Sequence, residues 1–199
     1  DGYEGNTSRT AEEETSPYDE LHYFIVDENG EKVTNIKSYY EASTSTIYTE
    51  GLHKGNYRLL VLGIQGNSAK DKAVIHTPEH IQDEWLAFPE DLQKPLEAEY
   101  FYSQTPFSII EVQTTNGMQE TASIPDEIVQ KRIVSRVDFD FAYHNPYVRY
   151  AVTDKSLSFG DVRFYTTLSG SGELSGESNG TLYPISLNEQ TSYLFMPLC

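Results

Sequence analysis

A chain of 199 residues can bury a real hydrophobic core without staples, and its length allows one large or two small domains. A net charge of −17 disfavours nucleic acid and anionic lipid as partners, because both carry the same sign. The single Cys199 excludes an intrachain disulfide and any thiol pair for zinc or redox chemistry, while 15 Tyr and 13 Gly against 1 Trp and 2 Met is the usage of strands and turns.

Residues 1–17 carry Gly, Asn, Thr, Ser and the run Glu12-Glu13-Glu14 with hardly an apolar side chain, which predicts a solvated tether. The chain opens at Asp1 rather than Met, from which a removed leader and an extracytoplasmic location are expected. A strand is predicted over 20–27, with Leu21, Tyr23 and Ile25 facing one way and His22, Phe24 and Val26 the other. Both faces are apolar, which predicts a place in a sheet centre. Asp27-Glu28-Asn29-Gly30 then supplies an Asn-Gly pair that tolerates positive φ at both central turn positions, predicting a hairpin into 31–36.

A turn over 51–57 opens into a second central strand over 57–64. Its apolar run from Leu59 to Ile64 is strand-sized, far short of the roughly 20 residues that span a bilayer. Between Asn67 and Pro95 the pattern weakens, with Pro78, Pro89 and Pro95 as breakers and a short helix predicted over 79–86. Strands return at 96–103, 107–114 and 119–123 around an Asn116-Gly117 turn, followed by a long run over 127–143. In that run Ile133, Val137, Phe139 and Phe141 alternate with Arg132, Arg136, Asp138 and Asp140, and the interruption at Val134 and Ser135 predicts a bulge.

After Asn145-Pro146 come four short strand signals, over 147–153, 161–168, 181–187 and 192–196, the middle pair separated by a Gly/Ser-rich stretch. The expected organisation is a tether (1–17), a first β-sandwich domain (18–145) and a second, smaller or incomplete β-domain (146–199). A sandwich needs roughly seven strands, so the second unit is short. Residues 192–196 are apolar on both faces and too hydrophobic for an open edge, so a strand from elsewhere is expected to cover them.

His76-Thr77-Pro78-Glu79-His80 matches H-x-x-E-H, which binds zinc only when a helix sets both histidines on one face. Pro78 interrupts that helix at a cost of about 3 kcal/mol and no third ligand is signalled, so a polar loop is the preferred reading. Asp138 and Asp140 share a face by the strand period, as a calcium site would require, but alternation on a solvated face produces the same pattern. Asp27-Glu28-Asn29-Gly30-Glu31 has calcium-loop character without the distal bidentate Glu, and is better read as a turn. No G-x-S-x-G elbow occurs. Tyr39-Tyr40, Trp85 with Phe88, and Tyr100-Phe101-Tyr102 could stack on sugar rings or serve as core. Asn6-Thr7-Ser8 and Asn179-Gly180-Thr181 match the glycosylation sequon. No catalytic, metal or cofactor-binding residue is assigned, and a non-enzyme without cofactor is expected.

The segment LHYFIVDENGEKV resembles the first strand and hairpin of the fimbrial subunits and FimB-type fimbrial anchor lipoproteins of Bacteroidales. GLHKGNYRLLVLGIQGN is similar to that family's turn-G-x-Y strand, AEYFYSQTPFSI to its aromatic middle strand, and QKRIVSRVDFDF to the strand that closes its first domain. Together these cover roughly residues 20–142, and SYLFMPLC is similar to a second-domain strand. The resemblance implies a transthyretin-like Greek-key β-sandwich at the outer membrane or cell surface, anchored through a lipid absent from this chain. It implies a structural or adhesive role, as anchor, cap or building block, with fimbrial subunits as partners joined by strand exchange. The runner-up from another class is a glycan-binding outer-membrane lipoprotein of a polysaccharide uptake system, which the exposure or burial of Trp85 and Tyr100 would discriminate.

Overall fold

The computed structural model describes residues 17–90, 94–115, 117–125, 127–138, 155–159, 164–178, 182–187 and 193–197, and they form an all-β, sandwich-like fold. In chain order the strands are β1 (Glu20–Val26), β2 (Lys37–Glu41), β3 (Thr46–Glu50), β4 (Gly55–Gln65), β5 (Val74–Ile75), β6 (Glu84–Ala87), β7 (Glu99–Thr114) and β8 (Gly117–Ser123). They continue with β9 (Lys131–Arg132), β10 (Ser135–Asp138), β11 (Lys155–Phe159), β12 (Phe164–Ser169), β13 (Leu174–Ser178), β14 (Leu182–Leu187) and β15 (Tyr193–Met196). The main sheet runs β1-β4-β7-β8, with β9 also on β7, and a second sheet runs β13-β12-β6-β5. The pairs β2–β3, β10–β15 and β11–β14 stand apart as two-stranded sheets.

The main sheet is apolar on both faces because the strand period of two sends alternate residues of β1, β4 and β7 to opposite sides. Phe24, Val26, Leu60, Leu62, Ile64 and Tyr100 share one buried core with Trp85, Leu86, Phe164 and Leu168 from the second sheet. At about 1.5–3 kcal/mol per buried large side chain, this core is the dominant favourable term in the fold. Ile25, Leu59 and Val61 cluster on the other face with Leu21, Tyr23 and Phe107. β1 accordingly lies at the end of the sheet rather than at its centre, and its two apolar faces reflect cover from two layers, not strands on both edges.

Four further expectations are corrected. The turn after β1 has positive φ at Gly30 alone (+87°), with Asp27 N donating to Glu31 O at 2.9 Å and Gly30 N to Asp27 O at 3.1 Å, so it is a three-residue turn with a glycine bulge. Gly30 is required twice over, since a Cβ there would meet Ile81 Cγ2 at 2.6 Å. The return is shorter than 31–36 and ends in a single bridge from Val26 to Lys32. Residues 79–86 hold no helix: β6 occupies their end, and the helical turn is the 3₁₀ segment Ser68–Asp71. The two strands expected over 96–114 are one, β7, carried through Pro106 where β7 has only β4 beside it, between its pairing with β9 at Phe101–Tyr102 and with β8 from Ser108. The irregularity at Val134 is a break more than a bulge: β9 pairs with β7, β10 pairs with β15, and Val134 turns into the core between them.

Of the described strands behind residue 145, where the sequence placed a separate unit, β12 and β15 share the first core. β12 pairs with β6, and Phe164, Leu168 and Phe195 join Phe24 and Trp85 in one cluster. β15 is covered from within the chain: β10 pairs along it, Leu96 N donates to Phe195 O at 2.9 Å, and Leu194, Phe195 and Met196 are buried. Phe139, Asp140 and Phe141 lie outside the described residues, as do residues 1–16 of the tether and all of 147–153.

Asp71, 1% exposed, ties the 66–72 loop to the start of β7. Its carboxylate accepts from Glu97 N at 2.7 Å, Ala98 N at 3.1 Å and Tyr100 OH at 3.0 Å. Burial pushes this carboxyl above its usual range while the three donors pull it down. Asp71→Ala should lower stability by about 3 kcal/mol or more, since each buried donor left unpaired costs about 1–3 kcal/mol. Urea unfolding of the two proteins measures it.

Candidate functional site

On the face of the main sheet away from the large core, Leu21 and Ile25 of β1, Leu59 and Val61 of β4, and Phe107 and Ile109 of β7 form an apolar floor. Two walls rise from it. One is the β2–β3 hairpin, presenting Tyr40, Ile47 and Thr49; the other is the non-strand segment holding Ile124, Pro125, Ile128 and Gln130. Between them lies a groove of about 660 Å³, within the range of roughly 300–1,000 Å³ at which clefts hold ligands.

The hairpin forms because Lys37–Glu41 and Thr46–Glu50 alternate about a tip where Ser45 takes φ +50°, with Tyr39 opposite Tyr48 and Tyr40 opposite Ile47. The same alternation sends Tyr40 and Ile47 towards the floor and leaves Tyr39 and Tyr48 exposed. Polar side chains are the minority of the lining. Tyr18 is one of them, and burial, with the nearby Tyr40, raises its hydroxyl pKa and keeps it neutral. Gln130 Oε1 is buried beside Gly63 and Tyr18 without a hydrogen-bond partner, and Glu127 stands among the lining residues. The arrangement suits an extended apolar chain with a donor group near Tyr18, and it brings together no nucleophile and base.

The residues singled out in the sequence lie elsewhere. His76 pairs with Glu84 at 3.0 Å, Glu79 with Lys32 at 3.3 Å, and His80 Nδ1 accepts from Gln82 N at 3.1 Å, so the H-x-x-E-H residues are spread along an extended segment and turn with separate partners. Their role is structural: Lys32 N donates to Glu79 O and Ile81 N to Gly30 O, both at 2.8 Å, clamping the turn after β1 onto the lead-in to β6. Among the described residues no three His, Cys, Asp or Glu side chains converge as metal ligands would. Asp138 is taken by Arg136, 2.8 Å away, and Asp140 lies outside the described residues. Asp27 accepts from Asn29 N at 2.9 Å and Glu31 N at 3.0 Å, capping its own turn.

Trp85 at 2% and Tyr100 at 0% exposure are core, as is Phe88, so the aromatic platform of the glycan reading is not available there. Tyr102 is half-buried, bound through its hydroxyl to Gly170 O at 2.9 Å, and pushed up to about 12 by burial. Tyr39 (60% exposed) and Tyr48 (40%) are the aromatic pair left on the surface, stacked at 5.0 Å. Both sequons lie outside the described residues. The groove itself escaped the sequence reading; its signal was the double-sided apolar pattern of residues 20–27 and 57–64, which called for a second covering layer.

No family model matches the chain, and no curated protein or solved structure matches it.

The clamp turn carries a pH dependence. Asp83 accepts from His80 N at 2.8 Å and Glu79 N at 3.0 Å, and these two donors hold its carboxyl below the usual range. A depressed folded value means the stabilisation is complete above the unfolded value and is lost as pH falls through the folded one. Asp83→Asn should therefore flatten part of the acid limb below about pH 4, the ordinary carboxylate value, with little change at neutrality in that limb's shape. Thermal melts against pH measure the difference.

Proposed function

We propose that this chain is a non-catalytic structural or adhesive subunit of a fimbria-like structure at the outer membrane or cell surface, built as a transthyretin-like Greek-key sandwich. The observation that carries this reading is the apolar groove. A folded domain that leaves a mostly apolar groove on one sheet face, lined by a hairpin on one side and by Ile124, Pro125 and Ile128 on the other, presents what an assembling subunit needs to receive an extended segment of its neighbour. Recognition by main-chain and alternate side-chain contacts of this kind is general for strand addition. The resemblance to fimbrial subunits and anchors in residues 20–142 supports it, and so does the all-β frame. The glycan-binding reading keeps one support, the exposed Tyr39–Tyr48 pair, whose flat rings suit apolar sugar faces.

The test is capture of an extended peptide. A synthetic peptide alternating Val and Thr should bind the 199-residue chain in fluorescence anisotropy, and Ala122→Trp, which fills the groove from an exposed position on β8, should abolish binding while leaving the melting temperature nearly unchanged. Equal binding by wild type and Ala122→Trp would remove the groove from the function, and binding of oligosaccharides dependent on Tyr39 and Tyr48 would favour the runner-up.

A further inference from the structure

Among the described residues, the β2–β3 wall of the groove is hydrogen-bonded through its main chain only to itself. Its strands pair with each other from Lys37 and Glu50 to Glu41 and Thr46, and among the described residues they pair with no other strand. An isolated two-stranded hairpin is marginally stable in water, so its position depends on side chains. Those attachments are few. Ile36 and Ile47 pack on the Ile25, Leu59 and Val61 cluster, and Ser38 Oγ lies 3.2 Å from Tyr23 OH. The hairpin also leaves the body through a narrow waist. Gly51, at φ +93°, sits where an added Cβ would lie 3.4 Å from Asn35 O and 3.7 Å from Ile36 Cα, so both legs meet at one point, where neither is in a strand.

We propose that the β2–β3 hairpin is a flap hinged at the Asn35–Gly51 waist, swinging away from the main sheet to admit the occupant of the groove and closing over it. This rests on the groove being a binding site. The Ser38–Tyr23 hydroxyl contact is the latch of the closed position, and the apolar seat of Ile47 is what an incoming chain replaces. Opening breaks no main-chain ladder, because the hairpin keeps its own and shares none with the main sheet. Hinged elements of this kind move on the microsecond to millisecond scale.

Two spin labels report the motion directly, at Ser43→Cys on the exposed hairpin tip and Ser123→Cys on β8, in a Cys199→Ser background so that the labels are unique. The distance distribution between them should be bimodal or broad, and Tyr23→Phe and Ser38→Ala should each shift it towards the longer distance. Stopped-flow binding of Nile red, a neutral apolar probe, should be faster in both variants by about fivefold, the worth of one net hydrogen bond. A single narrow distribution, unchanged in Tyr23→Phe and Ser38→Ala, overturns the flap whether or not Nile red binds. Nile red binding that is absent, or insensitive to Ala122→Trp, counts instead against the groove as a site, while a broad distribution that shifts in the latch variants still supports the hinge.

Discussion

The main sheet is apolar on both faces, and an apolar sheet face left in water costs about 25 cal/mol for every Å² that remains uncovered. Leu59 to Ile64 of β4 are all buried, and the side chains of this one strand point alternately into two separate clusters. Two covering layers are therefore required. The second sheet supplies one, with Trp85, Leu86, Phe164 and Leu168 seated on Phe24, Leu60 and Leu62. The other face is covered only in part, by the β2–β3 hairpin and the stretch containing Ile124 and Ile128, and the unfilled remainder is the groove.

Completing the first layer determines how the chain is organised. The second sheet is built from β5 and β6 early in the sequence and β12 and β13 late in it, so the late strands are bound to the early core by a hydrogen-bonded ladder. Two main-chain bonds and one from a side chain fasten the edges of this frame: Gly170 N donates to Asp83 O at 2.9 Å, Ile81 N to Gly30 O at 2.8 Å, and Tyr102 OH to Gly170 O at 2.9 Å. Gly170 must be glycine here, because a Cβ would stand 2.8 Å from Ile81 O and 2.9 Å from Phe24 Cζ. The side of the main sheet that faces this frame is joined to it through the β12–β6 ladder and these bonds, whereas among the described residues the β2–β3 hairpin pairs with no strand of the main sheet.

The chemistry-like motifs in the sequence resolve into frame parts. His76, Glu79 and His80 lie close in the chain but serve an extended segment and a turn, and each is drawn to a different partner: His76 to Glu84, Glu79 to Lys32 and His80 to Gln82 N. Asp83 provides the acceptor that holds this turn, a role that spacing within the motif does not announce. The aromatic residues divide between inside and outside: Trp85, Phe88 and Tyr100 are core, and Tyr39 and Tyr48 remain exposed on the hairpin.

Read alone, the sequence determined the all-β class, the two apolar strands at 20–27 and 57–64, and the turns at Gly30 and Gly117. These are local properties, set by alternation, β-branched and aromatic usage, and glycine at positive φ. It could not determine which strands would share a core. Residues 164–169 read as part of a later unit because their partner, Glu84–Ala87, is some eighty positions away and short, and pairing across such a distance leaves no periodic trace. Residues 192–196 read as needing cover by a strand from elsewhere for the same reason, since β10 and Leu96, distant in the chain, are what cover 193–196. The groove belongs to the same category: each of its apolar residues is visible in the sequence, but whether a second layer fills a sheet face or stops short of it is decided only when hairpin, sheet and the 124–130 segment meet in space.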